Sequence, residues 1–286
     1  MLKFKFNKLK VLFGTSIFTT SLFAASFLIT PLALAEDNIV IPDLGPAGIR
    51  GMTVQAEKNY GEFFMRKANG AGAVTADPVL NEYIDTVGSK LIMNASNVYF
   101  PFEFFLSSDK SLNASAFLGG KVQVNAGLFH YTDNEDEFAS VLAHEISHVT
   151  QRHIARLIED QTDRTPVSVA SIIGSIVVAL INPTVGMAAL SSSTGLLAQA
   201  GINFTRDNES EADRVGLAVL ARAGYNPMAM SDLFKKLLAQ QGNINPAFSM
   251  LVDHPLSEIR VAETYNLAKN MPKRQNSKNP NFMMAK

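Results

Sequence analysis

His144 and His148 stand four residues apart in the run His144-Glu145-Ile146-Ser147-His148. On a helix, residues at that spacing project from one face, so both imidazoles can reach one ion. Zinc accepts neutral imidazole nitrogen at about 2.0–2.1 Å. Glu145 lies beside the pair in projection, where it reaches a metal-bound water rather than the metal. Two ligands and a general base make this the HExxH arrangement of metal-assisted peptide hydrolysis. The chain holds only five histidines, so the pattern is rare by chance. The bland alternative is a histidine-bearing helix face that simply packs in the core.

A catalytic metal site needs a third protein ligand and an open fourth position. The chain contains no cysteine, so any metal must be held by His, Asp or Glu. Glu209-Ser210-Glu211-Ala212-Asp213 stands out downstream. Glu209 and Asp213 are again four apart and share a helix face, while Glu211 projects elsewhere. Glu209 could ligate the ion while Asp213 hydrogen-bonds a ligand histidine and fixes its tautomer. A solvated acidic first turn, favoured by the helix dipole, explains the same spacing. His254 precedes Pro255 and could fill the fourth position as a gate, or stabilise an oxyanion. Arg260 could pair with an acidic ligand or support the substrate carbonyl, or lie on a solvated face. His130 and His153 read as structural, with His153 projecting away from the pair.

The elements that must position these groups can be traced by pattern. Residues 53–69 read as an amphipathic helix, and Asp77-Pro78 starts a second that should run to about Ser96. Residues 99–108 are aromatic-rich and read as a strand. Gly119-Gly120 marks a turn, followed by the period-two stretch Lys121-Val122-Gln123-Val124-Asn125, a half-exposed strand. Thr132-Asp133-Asn134-Glu135 has capping-box form and opens the helix that carries His144 and His148. A second site-bearing helix should run from near Asp207 to near Gly224, a C-terminal glycine signal. Asn226-Pro227 opens a helix to about Gln240, and His254-Pro255 one to about Asn270. Helices, then strands, then helices imply a mostly helical α+β fold rather than a βαβ sheet. The domain should occupy residues 53–271, with a polar tail over 272–286 that reads as the start of a further domain.

Composition excludes several function classes. With 25 Lys+Arg against 26 Asp+Glu, the chain is not a basic nucleic-acid binder. Lys3, Lys5, Lys8 and Lys10 precede an apolar stretch that ends in Ala33-Leu34-Ala35, the form of a cleavable signal peptide over 1–35. The rival is an uncleaved membrane anchor. Cleavage would leave an extended lead-in over 36–52 and place the protein in the periplasm. Residues 165–205 carry no charged side chain. Their apolar centre is too short to span a bilayer. This run reads as a buried or flexible hairpin, and alternatively as a lid or a surface making peripheral membrane contact.

HEISHVTQRH followed by ESEAD resembles the M48 family of zinc metallopeptidases. The stretch Asn113–Gly120 resembles that family's segment before its active-site edge strand, and Asp253-His254-Pro255 with Arg260 resembles its H-P-x-x-x-x-R segment. The four segments agree in order and spacing over roughly residues 50–270. The resemblance implies a gluzincin fold, with a small β-sheet beside the HExxH helix. It implies one zinc ion held by His144, His148 and Glu209, with Glu145 as base and Asp213 as second acid. It makes His254 a fourth ligand or gate. A substrate would lie extended along the edge strand Lys121–Asn125, pairing through main-chain hydrogen bonds. Such pairing is nearly sequence-independent and suits unfolded segments. The resemblance narrows the substrates to outer-membrane β-barrel proteins stalled in assembly, and the partner to the barrel-assembly machinery. Similar family members continue into tetratricopeptide repeats, whereas this chain shows no repeat period, which puts that docking in doubt. The competing reading is a chaperone-like binder of unfolded chains with a latched zinc and little turnover.

Overall fold

A computed structural model describes residues 52–164, 169, 206–240 and 246–286. The expected signal peptide 1–35, the expected lead-in apart from Met52, and the uncharged run apart from Val169 lie outside the described residues. None of the described helices is long and apolar enough to cross a membrane.

Helix α1 (Val54–Gly70) starts where the Thr53 hydroxyl accepts the Ala56 N–H, and it buries Tyr60, Phe63, Phe64 and Ala68. Helix α2 (Pro78–Ile92) is capped by Asp77, whose carboxylate accepts from Val79 and Leu80, with Pro78 at the first helical position. It stops at Ile92, short of Ser96. Strand β1 (Glu103–Ser107) is likewise shorter than the aromatic run. Phe100 is buried and Tyr99 exposed, so the aromatics before β1 serve packing rather than pairing.

Strand β2 (Ala114–Phe117) is joined to β3 (Lys121–Asn125) by a tight turn at Gly119 and Gly120, both at positive φ. The sheet order is β1-β3-β2, with β1 parallel and β2 antiparallel to β3. This corrects the sequence reading of Lys121–Asn125. The strand is central rather than an edge, and it is buried apart from Gln123. Its polar alternates are paired rather than solvated. Lys121 Nζ donates to Glu62 and Glu103 at 2.7 and 2.6 Å, and Asn125 Nδ2 to Ser111 Oγ at 3.1 Å. The edges are β1 and β2, and the small residues Ala114, Ser115 and Ala116 give β2 little strand signal.

After α3 (Ala126–Tyr131) comes α4 (Glu135–Thr150), buried at every position. Its N-cap lies two residues beyond the expected one. Asn134 accepts from the Glu137 N–H, and Glu137 reaches back to the Asp133 N–H. Thr132 instead donates to Leu128 O at the end of α3. Helix α4 packs against α2, β2 and, most extensively, α6 (Arg206–Arg222). Helix α5 (His153–Arg164) follows α4 after a two-residue break. Gly224, at φ 86°, ends α6, and the Tyr225 N–H returns to Leu220 O. Helices α7 (Met228–Gln240), α8 (Met250–Asp253) and α9 (Glu258–Lys269) complete the bundle. The expected start at His254 is corrected: His254 ends α8, and Ser257 caps α9 by accepting the Arg260 N–H. The polar tail joins the fold. Its helix α10 (Pro280–Ala285) buries Phe282 near Tyr83 and Phe138, and Asn279 and Ser277 donate to Glu135.

Candidate metal centre

Helix α4 brings His144, Glu145 and His148 to the face covered by α6, which supplies Glu209 and Asp213. The close crossing is permitted by Gly216, where an added Cβ would sit 3.2 Å from Ala143 O. His144 Nε2 and His148 Nε2 lie 3.0 Å apart. Glu209 Oε2 is 3.4 Å from His144 Nε2, and Glu209 Oε1 is 3.5 Å from His148 Nε2. His254 Nδ1 closes the cluster, 3.3 Å from His144 Nε2 and 3.1 Å from Glu209 Oε1. Ligand atoms from these four buried residues all fall within 4.8 Å of one another.

The donors fit a cation. Three imidazole nitrogens face one another and a carboxylate inside the protein, where facing lone pairs repel unless a positive charge lies between them. Glu145 Oε1 is also buried and finds no hydrogen-bond partner among the described residues. Three imidazoles and a carboxylate form a borderline-soft set of the type that holds zinc.

Asp213 Oδ1 lies 3.0 Å from His144 Nδ1, behind the ring. Arg260 is buried and fully engaged. It donates from Nε and Nη2 to Asp213, both at 2.8 Å, and from Nη1 to Pro255 O, with Nη1 also 2.9 Å from Glu209 Oε2. Pairing with the acids is the first of the three parts open to Arg260. Glu145 Oε2 accepts the Ala116 N–H of β2 at 2.9 Å, and Oε1 is 3.4 Å from His254 Nε2. Lys121, Val122, Gln123, Val124 and Asn125 remain inside the sheet, one strand behind β2.

The electrostatics follow from burial and neighbours. Burial pushes the Glu145 carboxyl up, against His254 and His144. Burial also lowers His148 well below its ordinary value, helped by His144. For Glu209 burial acts upward, but the His254 and His144 imidazoles outweigh it and hold the carboxyl far below the usual range. For His144 burial acts downward, but Asp213 and Glu209 overcome it and raise the ring to about 10.

His153 is the residue that helical projection misplaced. Arg152, at φ 54°, breaks the helix and is held by Glu57 Oε1 at 2.6 Å. The break turns His153 back toward the site, with its Nδ1 2.8 Å from His148 Nδ1.

Residues 78–268 match Peptidase family M48. The chain belongs to that family. It is 40% identical over 247 residues to a beta-barrel assembly-enhancing protease of Yersinia pestis, covering 86% of this chain and 51% of the relative. The protein of the same name from Escherichia coli K12 is 40% identical over 254 residues, covering 89% and 52%. A mitochondrial metalloendopeptidase OMA1 of Schizosaccharomyces pombe is 28% identical over 179 residues, covering 63% and 50%. The chain thus spans about half the length of these curated relatives. The family is one of metallopeptidases, and the cluster of His144, His148, Glu209 and His254 is the group among the described residues that could hold a metal ion.

Proposed function

We propose that the protein is a periplasmic zinc endopeptidase that cleaves unfolded or misassembled outer-membrane β-barrel proteins. The observation that carries the peptidase chemistry is the convergence of His144, His148 and Glu209 beside the buried carboxylate of Glu145. The barrel substrates and the periplasmic setting rest on the names of the bacterial relatives, together with the leader-like N-terminus. The barrel-assembly machinery as partner and membrane contact through 165–205 belong to the same proposal.

His144, His148 and Glu209 would hold the ion, and Asp213 would keep the His144 ring in register. When bound, zinc polarises a peptide carbonyl and lowers the pKa of water toward about 7. Glu145 accepts the proton of the attacking water on Oε1 and delivers it to the leaving amine. Its raised affinity for protons suits that exchange. Burial of the whole cluster excludes bulk water and strengthens each electrostatic contact.

The substrate would lie along the outward edge of β2, which pairs with no further strand among the described residues. Antiparallel pairing alternates inward and outward main-chain groups. Asn113 O accepts from Asn125 N, and Ala116 N–H points away from β3 to Glu145, so the Ala114 and Ala116 groups face outward. An extended segment could pair there through the Ala114 groups and Ala116 O, while the Ala116 N–H stays with Glu145.

One observation favours a second reading, a latched binder with little turnover. Leu112, next along the same outward edge, already donates to Ala247 O at 2.7 Å and accepts from Met250 N at 3.3 Å. Asn113 Nδ2 donates to Asp253 Oδ2 at 2.7 Å, which anchors the segment that ends in His254. The deciding experiment is proteolysis of an unfolded outer-membrane barrel protein by the zinc-loaded chain, with Glu145→Gln alongside. Cleavage should fall about 10²–10⁴-fold in the variant with zinc still bound. No cleavage by either form would overturn the peptidase reading in favour of the latched binder.

A further inference from the structure

Behind His148, on the side away from Glu209, a line of polar groups runs to the surface. His153 is fully buried, with its ring 4.8 Å from that of His148 and steeply inclined to it. The two Nδ1 atoms are 2.8 Å apart, so one proton lies between them. On the other side of His153, Nε2 lies 3.2 Å from Glu211 Oε2, which also accepts from Arg156 Nη2 at 2.7 Å.

We infer that His153 and Glu211 are positioning residues whose hydrogen-bond chain fixes the His148 tautomer that presents Nε2 to the metal. An ionised carboxylate only accepts, and the Arg156 guanidinium favours that form. His153 must therefore carry its proton on Nε2. A neutral imidazole has one N–H, so His153 Nδ1 is the acceptor. The shared proton then belongs to His148 Nδ1, and His148 Nε2 keeps a bare lone pair. That atom is the one 3.0 Å from His144 Nε2 and 3.5 Å from Glu209 Oε1. The opposite polarity would place a proton on His148 Nε2 and block it as a ligand.

The two ligand histidines are thus oriented by different devices. His144 leans directly on Asp213, inside the protein and sealed by Arg260. His148 leans on a carboxylate through a second imidazole, and that chain ends at side chains 31% and 48% exposed. Outer groups of this kind typically shift metal affinity 10–100-fold when removed.

The inference rests on His148 being a metal ligand, as the proposed function has it, so the test includes His148→Ala. Zinc affinity is measured by competition with a chelator, and folding by thermal unfolding. His153→Leu and Glu211→Leu should each weaken zinc binding about 10–100-fold. His153→Asn, which places an acceptor oxygen near Nδ1, should recover most of the loss, whereas a purely space-filling role would favour Leu over Asn. In the zinc-loaded wild type, long-range ¹⁵N–¹H spectra should show His153 protonated at Nε2. If His153→Leu fails to fold, the partly exposed Glu211→Leu and the spectra still decide. Wild-type affinity in both Leu variants alongside loss in His148→Ala, or His153 protonated at Nδ1, would overturn the inference and leave the peptidase reading intact. Wild-type affinity in His148→Ala would instead remove the ligand assignment itself.

Discussion

Asp213 Oδ1 lies 3.0 Å from His144 Nδ1, on the opposite side of the ring from the Nε2 that faces Glu209. A carboxylate at that distance would hold the ring at Nδ1 and leave Nε2 to face inward. Asp213→Ala should therefore weaken zinc binding about 10–100-fold, read by chelator competition. Unchanged affinity would show that packing alone holds the ring.

Arg260 joins the two acids of α6 from α9, touching Asp213 with two donors and Glu209 with a third. Removing one partner of a buried charge cluster leaves the others uncompensated and costs about 3–5 kcal/mol. Arg260→Met should lose about that much stability in denaturant unfolding of the metal-free protein. Arg260→Lys should rescue little, since an ammonium cannot reproduce the bidentate fork on Asp213. A loss below about 1 kcal/mol would place Arg260 with surface pairs instead.

The metal cluster was legible because helical spacing is rigid. His144 and His148, like Glu209 and Asp213, needed only the four-residue repeat to share a face. Legibility ended wherever the chain left a regular helix. His153 is five residues beyond His148, but the left-handed Arg152 sits between them and reverses the projection. The edge strand escaped because alternation marks a strand without marking its neighbours. Lys121–Asn125 alternates clearly and is central, whereas Ala114–Phe117 hardly alternates and is an edge. Arg260 was visible as a candidate, but nothing local could show that its donors meet acids on another helix rather than a substrate.

The crossing of α4 and α6 fixes how closely Glu209 approaches the histidines. An added Cβ at Gly216 would meet Ala143 O at 3.2 Å and His144 N at 3.3 Å, against the main chain that carries the ligand. Gly216→Ala should force the helices apart by a few tenths of an ångström. The expected cost is about 1–3 kcal/mol from overpacking, with weaker zinc binding measured beside it. Gain of stability with unaltered zinc affinity would mean that the crossing adapts freely.

His254 stands between Glu209 and Glu145. Its Nδ1 lies 3.1 Å from Glu209 Oε1 and its Nε2 3.4 Å from Glu145 Oε1, so one ring faces both carboxylates at once. A fourth protein ligand there would exclude the water that hydrolysis consumes. The segment before it is pinned to the edge that a substrate would use, by Leu112 to Ala247 and Met250 and by Asn113 to Asp253. Both obstacles lift together if residues 247–254 move away. His254→Ala should therefore raise cleavage of an unfolded protein chain, and Asn113→Ala, which frees Asp253 without touching the cluster, should raise it less. The assay is initial cleavage rate at fixed zinc. A fall in His254→Ala to the level of Glu145→Gln would make His254 a transition-state donor instead of a gate, and an unchanged rate would deny it both roles.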